Sequence, residues 1–590
     1  MKKLISLVLV LTMLFSVVSV SASASENGYV ADYDRETPVI IVHGMSQNDT
    51  YLLDDNGEWA VDENGAYITG WPLKLDIMGL VKEALFPLLL SAFLKQDIGL
   101  TDAMKRGAYE GLPIIHKDNE GNYDLPIEVP CYEYPMGKMS EELREYYYNL
   151  LPLQGLVDIV GGDNVYYFGY DSFGDIIGET EKLNYYIHEV VLEQTKAEKV
   201  NLCFISLGGT IGVNYLETYP EDYEIMNKVE FVVPAIDGSD IIGDILTGNL
   251  SVIYDDKVLY EDLLVKLLGD SYLAYIINIV LRILPSWLLK DALAALAEGV
   301  VEAGVRSTSI IWALCPTDYY KEARAKWLET DEYTLIREKV DYFMNSRANF
   351  AENLSNLMAT GCKVYDICCY GGGMFPLCRD WNKTNGDGIV HATSASMGST
   401  FADVGKTLGD GYVAAGTNCS DPTHNHISPD NTVDATTGLL PCTTWYIKNQ
   451  DHEKLPNNDV VLKMAFDIMT DNNMVNVYSN PEKYPQFNEG RLTNTVKEYL
   501  LSWENADKSG ISAQKIEAVE KAKAEIDKQL GETIVNTAKW NEAVENFRVS
   551  LVKAGVIEDT SPGIFENALT LITKSLNQVV NSIYETLNSK

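Results

Sequence analysis

The serine that lies between an apolar run and two glycines is the residue best placed to do chemistry. It occurs in NLCFISLGGTIGVNYL, residues 201–216, where the residues before Ser206 are typical of a buried strand and those after Gly208 and Gly209 of a helix. A serine on such a strand-to-helix turn is the arrangement of the G-x-S-x-G nucleophile elbow. Ser206 is therefore the candidate nucleophile for an acyl-transfer reaction.

A serine nucleophile needs a base that removes its proton, and His452 is the histidine that best fits this role. In enzymes built on this nucleophile elbow, the acid and then the base follow the serine in the chain. Three of the seven histidines precede the serine and fail this order: His43, His116 and His188. Of the later ones, His452 lies in WYIKNQDHEKLPNND, between a strand and a capped helix, and that loop belongs at the same sheet edge as the serine.

The acid that orients the base is predicted to be Asp387. It lies in TNGDGIVHATS between Gly386 and Gly388, and the glycines allow a tight turn that exposes a carboxylate at the carboxyl edge of the sheet. A plain D-G turn is the alternative interpretation of this motif. Asp237, in PAIDGSD after the preceding strand, is the rival acid.

The oxyanion of an acyl-transfer intermediate needs backbone N–H donors, and two positions are predicted to supply them. Leu207 directly follows the serine at the start of the predicted helix. The second donor is Met45, in the loop after PVIIVHG, where Gly44 lets the chain turn closely under a substrate carbonyl.

Phe204 departs from the elbow pattern, which has a small residue two positions before the serine. Strand, turn and helix approach closely there around a strained serine. A phenylalanine must therefore either point away from the helix or push the elbow open. Because of this departure there is a second hypothesis, namely that the chain is a catalytically inactive scaffold that acts as a surface-binding protein.

A polar loop offers the only metal-site candidates in the sequence. CSDPTHNHISPDNTVDATTG contains four weak candidate ligands for calcium or zinc: Asp421, His424, His426 and Asp430. The alternative is a loop held by Asx-turn hydrogen bonds without any ion. No C-x-x-C occurs, so zinc-type cysteine spacing is absent, and the predicted acyl chemistry requires no cofactor.

The nine cysteines are an odd number, so at least one is unpaired or pairs between molecules. Cys203, in the strand beside the serine, is predicted to be a buried free thiol. Cys419 and Cys442 flank the polar loop and could close it by a disulfide.

The elements that must position these residues alternate between strand and helix. TPVIIVHG, NVYYFGYD, KVNLCFI and KVEFVVPAIDG read as buried strands followed by loops, which predicts an α/β fold with a mostly parallel, helix-covered sheet over residues 25–485. Helical insertions interrupt the alternation at about 73–110 and 241–345. They are interpreted either as a lid over a substrate cleft or as an ordinary buried helical subdomain. Residues 486–590 have helical spacing throughout and predict a small C-terminal bundle, whose partner the sequence does not identify.

The charge and the N-terminus restrict the classes of function and the location. The 46 basic and 85 acidic residues give a net charge of −39, which argues against nucleic-acid binding. Residues 1–24 combine two lysines, an apolar run and Ala22-Ser23-Ala24, as a secretory signal peptide does. The mature chain is therefore expected to be secreted.

Five motifs together resemble the α/β-hydrolase superfamily, and within it the lipase and lecithin–cholesterol acyltransferase-like group. They are PVIIVHGM, NVYYFGYD, VNLCFISLGGTIGVNYL, GDGIV and the late DHEKLPNND, and they span roughly residues 37–475. The resemblance implies a serine carboxylester hydrolase, or an acyltransferase, in which Ser206, Asp387 and His452 match the nucleophile, acid and base. It implies acyl ester or lipid substrates and contact with lipid aggregates. The C-terminal helices weakly resemble FIVAR-type spacers of surface proteins.

Overall fold

The computed structural model describes residues 29–62, 65–70, 77–263, 281–282, 284–491, 493–506, 508–531 and 537–557. The predicted signal peptide at 1–24, part of the second insertion at 264–280, and residues 558–590 lie outside the described residues. The chain forms two compact units, one extending to Arg491 and the other beginning at Leu492.

Seven parallel strands form the central sheet of the first unit, and four short strands form two small antiparallel pairs outside it. In chain order the strands are β1 Val39–Val42, β2 Tyr51–Leu52, β3 Ile127–Glu128, β4 Val165–Phe168, β5 Val200–Ile205, β6 Met226–Val232, β7 Lys363–Tyr370, β8 Thr400–Phe401, β9 Val433–Asp434, β10 Thr444–Lys448 and β11 Phe487–Glu489. The order across the main sheet is β11-β10-β7-β6-β5-β1-β4. Its inner strands are largely apolar and buried on both faces, as is typical of helix-covered parallel strands.

Helices connect these strands and cover both faces of the sheet. The described α-helices of the first unit are Ile77–Leu94, Leu100–Glu110, Glu141–Leu150, Gln154–Val160, Ile176–Tyr185, Glu193–Thr195, Gly208–Thr218, Asp240–Thr247, Ser251–Tyr254, Ser286–Val300, Ser309–Trp312, Thr317–Trp327, Thr334–Ala359, Ala392–Ala395 and Asp459–Thr470. Together with the sheet they form the α/β-hydrolase fold that the sequence predicts. Because all seven strands run parallel, the loops that follow them meet at one edge of the sheet.

A separate hydrophobic core lies on each face of the sheet. One core packs Gly208–Thr218, the elbow helix, and the long helix Thr334–Ala359 against the sheet. The other lies beneath Gln154–Val160 and Asp459–Thr470, the closing helix. The two cores hold β5, which carries the candidate nucleophile, between packed layers on both sides.

The two predicted insertions pack against each other around a third core. Helix Ser286–Val300 of the second insertion lies on helix Leu100–Glu110 of the first, and Leu100 and Leu288 are buried between them. The described insertion helices therefore have a core of their own. Residues from about 309 to 345 belong instead to the sheet core, so the second insertion is shorter than predicted.

The second unit consists of three described helices, Asn494–Glu504, Ala513–Gly531 and Thr537–Ala554. Trp503, Val519 and Phe547 are buried among them. The first unit extends past the predicted boundary at 485, because β11 pairs with β10 as the edge strand of the sheet. None of the described helices is long and apolar enough to cross a membrane.

Candidate active site

Ser206 lies on a tight turn between β5 and the elbow helix. Its φ of 51° is in the left-handed region that residues other than glycine rarely adopt, so the turn holds it in a strained conformation. The Ser206 N–H donates to the Val232 carbonyl at 2.9 Å, and the Ser206 carbonyl accepts from Gly209 at 2.9 Å and from Ala235 at 3.1 Å. The hydrogen bonds to Val232 and Ala235 tie the turn to β6 and its following loop, and the one from Gly209 closes the turn into the elbow helix.

The glycines after the serine are required by the close approach of neighbouring backbone. A Cβ at Gly208 would lie 2.5 Å from the Val42 carbonyl oxygen, and one at Gly209 would lie 2.7 Å from Cβ of Pro234. Both distances are too short for any larger residue without displacement of the backbone. The two glycines therefore allow the elbow helix to start directly beside β1 and the loop after β6.

The sequence predicts that Phe204 either points away from the elbow helix or pushes the elbow open, and neither occurs. The side chain points toward the helix, and the elbow stays closed. Its side chain is 1% exposed and stacks on Phe231 with ring centroids 5.4 Å apart. A Cβ at Gly212 of the elbow helix would lie 3.1 Å from the Phe204 ring. Gly212 supplies the space that a small residue before the serine normally supplies, a role that the sequence analysis missed.

The three residues predicted to act together lie in one hydrogen-bonded chain. His452 Nε2 lies 2.9 Å from Ser206 Oγ, and His452 Nδ1 lies 2.7 Å from Asp387 Oδ2. Asp387 is on the loop after β7 and His452 is on the loop after β10, so the parallel sheet brings both to the edge that carries the serine. The His452 N–H also donates to the Asp387 carbonyl at 3.0 Å, which joins the two loops.

The second oxygen of Asp387 fixes the orientation of the carboxylate. Oδ1 accepts from the N–H groups of Ile389 at 3.0 Å and Val390 at 2.8 Å, while Oδ2 faces the imidazole. Burial alone lowers the pKa of His452, but the charge of Asp387 and its hydrogen bond outweigh it, so the pKa is raised above 6.5. The imidazole is thereby a stronger base toward the serine than an equally buried histidine without this partner.

The N–H groups of Leu207 and Met45 are the two predicted oxyanion donors. Neither has a hydrogen-bond acceptor within the part of the chain that the structure describes. The loop that carries Met45 is held by Gln47, whose Oε1 accepts from the Gly44 N–H at 2.7 Å. A Cβ at Gly44 would lie 3.1 Å from Cβ of Ser206, so this loop passes directly beside the serine.

His43 supports this loop from below as a neutral ring. Its Nδ1 donates to the Gly44 carbonyl at 2.6 Å, and its Nε2 accepts from the Tyr170 N–H at 3.3 Å. The ring also stacks on Tyr170, with centroids 4.0 Å apart. Burial lowers the pKa of His43 to about 4, so the ring stays uncharged beneath the site.

A cavity of about 340 Å³ opens beside Ser206 and His452 and extends between the sheet and the closing helix. Apolar side chains line most of it, among them Leu156, Ile205 and Met469. The buried carboxyl of Glu230 also lines the cavity, and its Oε1 has no hydrogen-bond partner among the residues that the structure describes. Glu230 pairs across the strands with Cys203, three residues before the serine, which places it about 10 Å along the strand from the nucleophile.

The rival acid and the metal candidates lie elsewhere. Asp237 pairs with Arg347 at 3.4 Å and accepts from the Thr317 N–H at 3.1 Å, so its carboxylate is engaged by these two residues and not by His452.

The predicted ligands His424 and His426 lie close together, and the other members of their group are Cys419 and Cys442. The predicted ligands Asp421 and Asp430 do not join that group. Asp430 pairs instead with Lys448 at 2.7 Å. Cys203 is a buried free thiol, as expected.

Comparison with known proteins identifies no family for this chain. No protein-family model matches the sequence, and no curated protein matches it significantly. Among solved structures, the chain is similar to one described as "The crystal structure of Tle4-Tli4 complex". That similarity has 13% sequence identity and a TM-score of 0.28, and it covers 73% of this chain and 97% of the other. A similarity this distant carries no argument about function, which must come from the site itself.

Proposed function

We propose that this chain is an exported serine hydrolase that cleaves carboxylic esters of acyl or lipid substrates through an acyl-enzyme. One observation carries the proposal: Ser206, His452 and Asp387 form a hydrogen-bonded chain, at 2.9 Å and 2.7 Å, on the loops at one sheet edge. A nucleophile, base and orienting acid in this geometry are what acyl transfer by serine requires.

The first half of the reaction forms the acyl-enzyme. His452 Nε2 removes the proton of Ser206 Oγ as the oxygen attacks the ester carbonyl carbon, and Asp387 stabilises the imidazolium that results. The carbonyl oxygen becomes an oxyanion, which the N–H groups of Met45 and Leu207 stabilise. When the intermediate collapses, the imidazolium donates its proton to the leaving alcohol and the acyl group stays on the serine.

The second half releases the acid and restores the site. A water molecule gives a proton to His452 Nε2 and attacks the acyl carbon, and the collapse of the second intermediate returns the proton to Ser206 Oγ. If an alcohol takes the place of water, the product is a new ester. Product analysis with added alcohols therefore separates a hydrolase from an acyltransferase.

The cavity and the surface support an acyl substrate. The largely apolar lining beside the serine suits an acyl chain, which gains free energy when its apolar surface leaves water. On the insertions, Phe93 is 83%, Phe86 72% and Trp287 51% exposed. We expect these side chains to contact lipid aggregates, since contact removes their apolar surface from water, and the rate should then rise when the substrate passes from monomer to emulsion.

The first experiment compares hydrolysis of p-nitrophenyl acetate and octanoate by the mature protein and by Ser206→Ala. We expect the substitution to lower kcat by at least about 10⁴-fold. A fluorophosphonate should label the wild-type protein at Ser206 and leave the variant unlabelled. Absence of activity and labelling in a folded wild-type protein would contradict the proposal and favour the inactive binding scaffold. N-terminal sequencing of protein from the culture medium tests export, with Ser25 expected as the first residue.

A further inference from the structure

Four side chains of the polar loop and the strand after it converge on one point, away from the active site. They are Cys419, His424, His426 and Cys442, and one ligand atom from each lies within 4.8 Å of all the others. His426 is buried and the other three are half-buried. Two sulfur and two imidazole ligands form a set that binds zinc in proteins.

We propose that these four residues form a structural zinc site. The two Sγ atoms are 3.5 Å apart, and His424 Nδ1 lies 3.5 Å and 3.8 Å from them, while His426 Nε2 lies 3.6 Å from Cys442 Sγ. Zinc bonds of about 2.3 Å to sulfur and about 2.0–2.1 Å to nitrogen, at tetrahedral angles, separate two sulfurs by roughly 3.8 Å, a sulfur and a nitrogen by roughly 3.5–3.6 Å and two nitrogens by roughly 3.4 Å. The four distances above lie within about 0.3 Å of these values, and the two remaining pairs of ligand atoms lie within 4.8 Å.

The second nitrogen of each histidine faces an acceptor, as it does in zinc sites. His426 Nδ1 lies 2.9 Å from Gln486 Oε1, and the Gln486 amide is itself fixed because it donates to the Pro441 carbonyl at 2.7 Å. This leaves the lone pair of Nε2 directed at the cluster. His424 Nε2 lies 3.6 Å from the Asp421 carboxylate. Asp421 thus takes a supporting position and is not a ligand, which revises the sequence prediction.

The donor set distinguishes zinc from calcium and from a disulfide. Calcium takes oxygen ligands, and no carboxylate of the described residues joins the four donors, whereas thiolate and imidazole favour zinc. A Cys419–Cys442 disulfide would use both sulfurs but leave the two converging histidines without a function. Because all four positions are protein ligands, the site has no open position for chemistry and is structural.

The position of the cluster indicates what the ion would stabilise. Cys442 lies in the turn that leads into β10, two residues before Thr444, and Gln486 directly precedes β11. The zinc would therefore tie the polar loop to the edge strands of the sheet, at the end of β10 opposite the loop that carries His452.

The test measures metal content and thermal stability in the full mature chain. We expect one zinc per chain in the wild type and in the control Cys131→Ser, whose cysteine lies outside the cluster, and a large loss in Cys442→Ser and His424→Ala. Chelation should lower the Tm of the wild type and of the control. Gln486→Leu should weaken zinc binding about 10–100-fold, because it removes the acceptor that orients His426.

Two further measurements keep the inference testable if the ligand variants fail to fold. Cobalt added to the chelated wild type should give the absorption of a tetrahedral site with thiolate-to-cobalt charge transfer. An octahedral cobalt spectrum, or equal zinc in wild type and Cys442→Ser, would overturn the inference. A Cys419–Cys442 cross-linked peptide in metal-free protein purified from the medium would also overturn it. Ester hydrolysis is a separate readout, so the outcome does not depend on the proposed activity.

Discussion

The ring of Phe204 lies against Gly212 of the elbow helix, where a Cβ would come within 3.1 Å of it. The strand before the serine and the helix after it approach closely, and one of the facing positions must be small. In G-x-S-x-G elbows the small residue lies on the strand, whereas here it lies on the helix. The Ser206 turn keeps its left-handed φ and its hydrogen bond to Val232.

Gly212→Val should therefore destabilise the fold and reduce activity. The added side chain overlaps Phe204, and overpacking of this kind costs about 1–3 kcal/mol. The matched control is Gly178→Val, on helix Ile176–Tyr185, where a Cβ meets nothing closer than 3.6 Å. Urea denaturation measures both. A similar free energy of unfolding in the two variants would show that Gly212 does not make room for the phenylalanine.

The pH dependence of hydrolysis should report the raised pKa of His452. The base must be neutral, so kcat/KM falls as the pH drops through this pKa, and the acid limb of the wild type should lie above pH 6.5. In Asp387→Asn the carboxylate charge is lost and burial remains, so the acid limb should move to lower pH while kcat drops about 10⁴-fold. Rate profiles from pH 4 to 9 test this. Identical acid limbs would mean that Asp387 does not set the pKa of His452.

Gln47 should act as a positioning residue for the oxyanion loop. Gln47→Ala removes the acceptor of the Gly44 N–H, and the loop that carries Met45 loses its anchor beside the serine. We expect kcat to fall about tenfold or more with little change in KM, because the oxyanion forms only during the reaction. Gln47→Glu keeps an acceptor oxygen and should retain more activity than the alanine variant. Equal losses of kcat in the two variants would show that Gln47 does not position the oxyanion loop through its hydrogen bond with Gly44.

Glu230 should limit how well the cavity accepts a long acyl chain. Burial raises its pKa well above 4.5, with Lys228 opposing and Asp366 adding to the shift, and the carboxyl is a polar group in a largely apolar cavity. Glu230→Leu should raise the ratio of octanoate to acetate hydrolysis about tenfold, since an acyl chain no longer desolvates the carboxyl. Glu230→Gln keeps a polar group of the same shape and should leave the ratio near the wild-type value. An unchanged ratio in both variants would place the acyl chain elsewhere.

Much of the fold and the candidate triad could be predicted because the sequence patterns that indicate them, apolar runs and turn residues, involve only neighbouring residues. Buried parallel strands read as apolar runs, and the turn after β5 requires Gly208 and Gly209 wherever the rest of the chain lies. Asp387 and His452 could be selected because each follows a strand, and a parallel sheet gathers the ends of its strands at one edge.

Other features depend on segments that are distant in sequence and meet only in the folded chain. Cys419 and Cys442 are 23 residues apart and have no C-x-x-C spacing, yet the polar loop folds back and brings both cysteines together with His424 and His426. Glu230 gives no sign in the sequence that it lines the cavity beside the serine.

The order of strands and helices, the elbow and the residues that could serve it can be read from the amino-acid sequence, because apolar periodicity and turn chemistry act over a few neighbouring residues. The fit of Phe204 against Gly212, the grouping of two cysteines with two histidines, and the pairing of Asp237 with Arg347 become apparent only in the folded chain. Each of these depends on side-chain packing between segments whose separation no local pattern sets.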